Sequence, residues 1–122
     1  MIAHPDALRE RSKKFALRVI KLVQSLPRTV EAKVIGRQIL RSATSVAANY
    51  RAVCRARSRA EFVARLGIVL EEADETHLWL ELLGDAGIVK PDLLSALKKE
   101  ANELVLIFSA SIRTAKRYVA AK

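Results

Sequence analysis

The chain has 122 residues, 51% of them apolar but only 5% aromatic, with four glycines, three prolines, one cysteine and a formal charge of +9. That length suits one domain around one core, and so few glycines, prolines and aromatics argue against a turn-rich sheet protein. The excess positive charge makes a polyanion the default partner, nucleic acid ahead of an anionic membrane, if the charge is gathered rather than spread.

The opening MIAHPDALRERSKKF lacks the continuous apolar segment of a secretory signal, and no uncharged apolar run approaches the roughly 18 to 20 residues a membrane span needs. Cys54 has no second cysteine to pair with, as is usual in a reducing compartment. The reading is a cytosolic protein with no membrane contact. A first helix is predicted over residues 6–26: Pro5 and Asp6 suit its start, Pro27 its end, and Leu8, Phe15, Val19, Leu22 and Leu26 make one apolar stripe.

Thr29 is an acceptable cap for a second helix over residues 30–55, whose stripe is Ile35, Ile39, Ala43, Val46, Tyr50 and Val53. A second, polar stripe runs beside it through Gln38, Ser42, Ser45 and Asn49. Small polar residues there predict close approach of a neighbouring helix, with Asn49 hydrogen-bonding across the contact. Cys54 is read as a packed thiol.

Ser58 followed three residues later by Glu61 marks the start of a third helix over residues 58–84, with Glu61 returning a hydrogen bond to the cap backbone. Phe62, Leu66, Val69, Ala73, Leu80 and Leu83 point to the core, while Ile68, Glu72, Glu75, Trp79 and Leu82 form another face. Apolar residues on more than one side predict a further contact, here a homo-oligomer; the acidic run is read as a solvated face or as pairing with basic residues of a neighbouring subunit, with Glu72 and Glu75 beside Trp79 the best candidates. Gly87 and Pro91 bracket a loop, and a fourth helix over residues 92–117 carries Leu94, Leu97, Ala101, Leu104, Phe108, Ser111, Ala115 and Tyr118 at alternating steps of three and four, with a frayed tail after it. Four helices joined by short connections predict an all-α, antiparallel, up-down-up-down four-helix bundle, a single domain over residues 1–122.

In that topology residues 1–14, 51–65 and 110–122 meet at one end, where thirteen basic residues face three acidic ones, a local +10 against −1 for the rest. Arginine predominates there, and its guanidinium fork suits phosphate oxygens. The predicted nucleic-acid-binding set is Arg51, Arg55, Arg57 and Arg59, supported by Arg11, Lys14, Arg113, Lys116 and Arg117. Tyr50 and Tyr118 are the nearest aromatics, so base stacking is weakly supported.

No catalytic residue, metal site or cofactor is assigned. Asp74, His77, Glu72 and Glu75 resemble part of a carboxylate metal site, but a bundle di-iron centre needs two Glu-x-x-His pairs, and His4 is the only other histidine. Cys54 and His77 fall on different helices without an orienting group, and there is no glycine-rich phosphate loop. The expectation is a protein that is not an enzyme.

SVAANYRA (residues 45–52), RARSRAEF (55–62), LGIVLEEADETHLWLELL (66–83) and SASIRTAKR (109–117) together resemble the bacterial four-helix bundle protein family. That family includes proteins encoded in intervening sequences of 23S ribosomal RNA genes and is similar to the accessory variability determinant of diversity-generating retroelements. The resemblance implies a bundle that assembles into a barrel-shaped homopentamer with a basic surface, and in the retroelement branch it implies nucleic-acid binding and contact with a reverse transcriptase. Ala52 stands where an acidic residue often follows NYR, and Ala47 where Gly or Pro is frequent. Two other roles are open: a scaffold docking an acidic protein, or an insertion product without a selected activity.

Overall fold

The computed structural model describes residues 5–120, with side chains as far as residue 117. Four helices follow one another, α1 (Pro5–Gln24), α2 (Val30–Val53), α3 (Arg59–Asp85) and α4 (Pro91–Ala120), joined by residues 25–29, 54–58 and 86–90. Each helix packs on its sequence neighbours, and α1 returns to α4 over a short stretch to close the ring. The predicted all-α four-helix bundle is the fold observed. Tyr118, His4 and Lys122, named from the sequence for core, chemistry and charge, have side chains outside the described residues.

The helix ends follow from their cap residues. Thr29 Oγ1 accepts a hydrogen bond from the Ala32 amide at 3.2 Å, and Ser58 Oγ accepts from the Glu61 amide at 3.1 Å, each satisfying an otherwise orphaned first-turn donor. Glu61 departs slightly from the predicted capping box, because its carboxylate accepts from the Arg57 amide, one residue before the cap. α1 stops two residues short of the predicted Leu26: Ser25 and Leu26 turn back to Leu22 and Val23 in tighter bonds, and the residue preceding Pro27 is steered away from helical geometry. α3 closes with Gly87 at φ +72°, the Ile88 amide bonding to Leu83 and the Gly87 amide to Gly84, which is a Schellman closure. α4 continues three residues beyond its predicted end, into the segment read as a frayed tail.

The stripes read from the sequence meet in one core. Leu8, Phe15 and Val19 of α1, Ile39, Ala43, Val46, Tyr50 and Val53 of α2, Leu66, Val69, Ala73, Leu80 and Leu83 of α3, and Leu94, Leu97, Ala101, Leu104 and Phe108 of α4 are buried together, and the Tyr50 and Phe108 rings lie 5.7 Å apart. Two glycines permit close helix approach: a Cβ on Gly36 would stand 3.1 Å from Leu26 Cδ1, and one on Gly84 would stand 3.3 Å from Leu94 Cδ1.

The polar stripe of α2 does mark a packing seam, but the side chain that spans it is not Asn49. The amide of Asn49 donates to Ser45, within α2, to its carbonyl at 2.9 Å and its hydroxyl at 2.7 Å. The crossing is made by fully buried Ser42, whose hydroxyl lies 2.8 Å from that of Thr76 on α3. Gln38 accepts from Arg41 at the solvent edge of the same seam. Glu72 and Glu75 likewise turn inward to their own chain: Arg41 donates to Glu72 at 3.0 Å and also to Glu75, which accepts from the Trp79 indole at 3.3 Å. Within the chain these two carboxylates form an α2–α3 clasp with Arg41, which sits one helix turn from Gln38 on the side facing α3.

Candidate nucleic-acid interface

The end of the bundle predicted to gather charge is a real convergence of elements. Pro5 of α1, Tyr50 and Val53 of α2, Phe62 and Leu66 of α3 and Ser111 of α4 border one recess, with Cys54 at its rim. Ala115 of α4 lies level with the α2–α3 connection, so exposed Lys116 and Arg117 stand at the end of the bundle. Cys54 is exposed at the α2 C-cap, in place of the packed thiol expected, because α2 ends at Val53 and the chain turns outward there. Tyr50 just below it is buried, which pushes its phenol up to about 12, with the Cys54 thiol adding and Arg9 opposing.

The predicted basic set separates into three groups. Arg51 and Arg55 line a groove between α1 and α2, together with Arg9 and Lys13. Arg57 and Arg59 line a cleft where the start of α3 meets α4, floored by Phe62, Ser111, Thr114 and Ala115. Arg113, Lys116 and Arg117 are exposed on the last turns of α4, and Lys14 is exposed on α1.

Arg11 is drawn out of the set. Its guanidinium forks onto Glu100, at 2.7 and 2.6 Å, and reaches Glu103 at 2.6 Å. The bidentate pair raises the arginine's pKa and holds the Glu100 carboxyl below its ordinary value, the Arg11 hydrogen bond being the main cause in the carboxylate. Arg11 therefore closes the α1–α4 seam. Arg65 is also spent locally, donating to Glu61 at 2.8 Å, and this bond is the chief reason the Glu61 carboxyl is acidified. By contrast Lys13, Lys14, Arg51, Arg55, Arg113, Lys116 and Arg117 make no ion pair among the described residues.

Charge is also divided sideways. α3 carries seven acidic residues against two arginines, whereas α1 carries six basic residues against two acidic. His77, tempting beside this acidic run, bonds through Nδ1 to Glu81 at 2.9 Å on its own helix. Arg9 and Lys13 were counted in the charged end from sequence but not assigned as binding residues. Their four-residue spacing on α1 was the signal, and only the α1–α2 register shows that they face Arg51 and Arg55.

Fold and site define a small antiparallel four-helix bundle with one end rich in exposed cations. The chain belongs to the 23S rRNA-intervening sequence protein family, whose model matches residues 7–110. A crystal structure of a protein of unknown function from the S23 ribosomal protein family, from Bacteroides thetaiotaomicron VPI-5482, is similar to it: TM-score 0.80 and 34% identity, covering 86% of this chain and 97% of that one. No curated protein matches the chain. None of its described helices is long and apolar enough to cross a membrane.

Proposed function

We propose that the protein is a non-enzymatic, oligomeric accessory protein that binds nucleic acid through the phosphate backbone at its cation-rich end. One contrast carries the reading. At the converging end the carboxylates Glu100, Glu103 and Glu61 are taken up by Arg11 and Arg65, while exposed Arg51, Arg55, Arg113, Lys116 and Arg117 have no acidic partner among the described residues. Unpaired, exposed guanidinium groups repel one another, a cost that a bound polyanion removes. The family description is compatible with a role near RNA but assigns none.

Self-association is part of this proposal. Leu17, Ile68, Leu78, Leu82 and Leu106 are each more than a third exposed, and Gly67 beside Ile68 has no neighbouring atom within 4 Å of where a Cβ would lie. A bare, small-plus-apolar helix face of this kind supports a second copy packing against α3, and the resemblance supports a pentamer. A reverse transcriptase as a further partner rests on the resemblance alone.

The test is fluorescence anisotropy with labelled RNA and DNA over a range of salt. Log affinity is expected to fall linearly with log salt concentration, and replacing Arg51, Arg55, Arg57 and Arg59 by alanine should lower the slope by roughly three to four units. Binding that survives this fourfold change, or capture of one acidic protein with no affinity for nucleic acid, would refute the proposal.

A further inference from the structure

The cation-rich end is several surfaces, and one is built differently from the rest. The α1–α2 groove has Arg9 and Lys13 on one wall and Arg51 and Arg55 on the other, with Ala47, Ala48 and Ala52 between them. No carboxylate lines it, and Lys13, Arg51 and Arg55 have no acidic partner among the described residues; Arg9 holds Asp6 at its exposed edge, at 2.9 Å. On α1 the two cations are four residues apart, a rise of about 6 Å, and on the other wall Arg55 follows Arg51 at the same spacing in the turn that closes α2. That is close to the separation of neighbouring phosphates along a strand.

We infer that this groove is the track for one phosphodiester strand of a double-stranded nucleic acid, with the two walls gripping successive phosphates from either side. The inference rests on the nucleic-acid reading above. Alanines allow the backbone to sit low between the helices, where longer side chains would hold it off. Among the described residues the groove has no aromatic lining on which unpaired bases could stack, whereas a duplex arrives with its bases already stacked and offers phosphates alone. The cleft bearing Arg57 and Arg59 is different, with Phe62 in its floor. Arg55 also borders a recess with Arg57, Arg65 and Glu61 at the α2–α3 connection, and the Glu61 carboxylate bounds the track there.

The experiment compares an RNA duplex, a DNA duplex of the same sequence and the corresponding single strands, by anisotropy at several salt concentrations, with four proteins: wild type, a groove variant (Lys13→Ala, Arg51→Ala, Arg55→Ala), Ala52→Glu, and a position control (Arg28→Ala, Lys33→Ala, Arg37→Ala). The control removes the same charge at the far end, from α2 and the connection leading into it, where those three residues border a separate recess. The groove variant is expected to lose at least tenfold in duplex affinity and about three units of salt slope. Ala52→Glu, which puts a carboxylate among the cations, should also lose affinity, and the control should stay within about twofold of wild type by this account of local contacts. An RNA duplex binding better than a DNA duplex, or the reverse, identifies which backbone the groove fits. Equal losses in groove variant and control, or single strands bound as tightly as duplexes, overturn the groove while leaving nucleic-acid binding in place. Wild type that binds none of the probes overturns both.

Discussion

Arg11 and Arg51 look equivalent in the sequence, both arginines in helices that reach the same end, yet one closes a seam and the other is left uncommitted. The difference lies in two carboxylates, Glu100 and Glu103, that α4 brings beside Arg11. Arg11→Ala should cost about 1 kcal/mol of stability, reduced from a buried charge-assisted bond by the partial exposure of the site, and leave nucleic-acid affinity nearly unchanged. Thermal melts beside anisotropy would separate the two effects. The acid limb of stability follows from the same pair. Glu100 is held below its ordinary value of 4.5 in the folded chain, so the unfolded chain binds more protons just below that value. The stabilisation is present above about pH 4.5 and is lost as pH falls through the lower, folded value. Glu100→Gln should therefore flatten the melting temperature between pH 5 and 3, a range bracketing the unperturbed carboxylate. The Ser42–Thr76 contact makes a separate prediction. Ser42→Ala and Thr76→Val should each cost about 1 kcal/mol, and the double variant less than their sum, since neither hydroxyl is then left facing a lost partner.

Helix by helix, the apolar periodicity decided almost everything about the core and little about what crosses it. α2 and α4 bury nearly every residue of their predicted stripes, because a step of three or four fixes a face whatever lies opposite. Which side chain reaches across a seam depends on the register of two helices, and periodicity within one helix does not contain it. Hence periodicity points to Asn49 for a contact that Ser42 makes, and it does not contain the reach of Arg41 to Glu72 and Glu75. The charged end was legible because topology alone brings its segments together; its division into groove, cleft and α4 tip was not. Glycines give the sharpest test at this scale. Gly87 occupies φ +72°, so Gly87→Ala should destabilise the α3–α4 turn by about 1 kcal/mol. Gly67 sits mid-helix with open space around it, and Gly67→Ala should stabilise a monomer by roughly 0.5–1 kcal/mol, measurable by urea unfolding.

For the molecule as a whole, the proposed assembly and the proposed ligand use different sides. Exposed Ile68, Leu78 and Leu82 lie on α3, which lines no part of the α1–α2 groove, so in the proposed assembly copies meeting through α3 leave the grooves open to solvent. Light scattering is expected to give a multiple of the 13.5 kDa chain mass, and a strictly monomeric particle would remove self-association from the proposal. Gly67→Ala then has two readouts, a gain in chain stability and a weaker assembly if that glycine lies in the contact. The uneven closure of the ring has its own consequence for motion. α1 meets α4 over a short stretch fastened by Arg11, while α2, α3 and α4 share extensive seams. Amide hydrogens of α1 should consequently exchange with solvent ahead of those in the other three helices, as the piece that lifts away while the rest stays folded. A ligand spanning Lys13 and Arg51 would tie that loose helix to its neighbour, so slowed exchange along α1 would be its earliest trace.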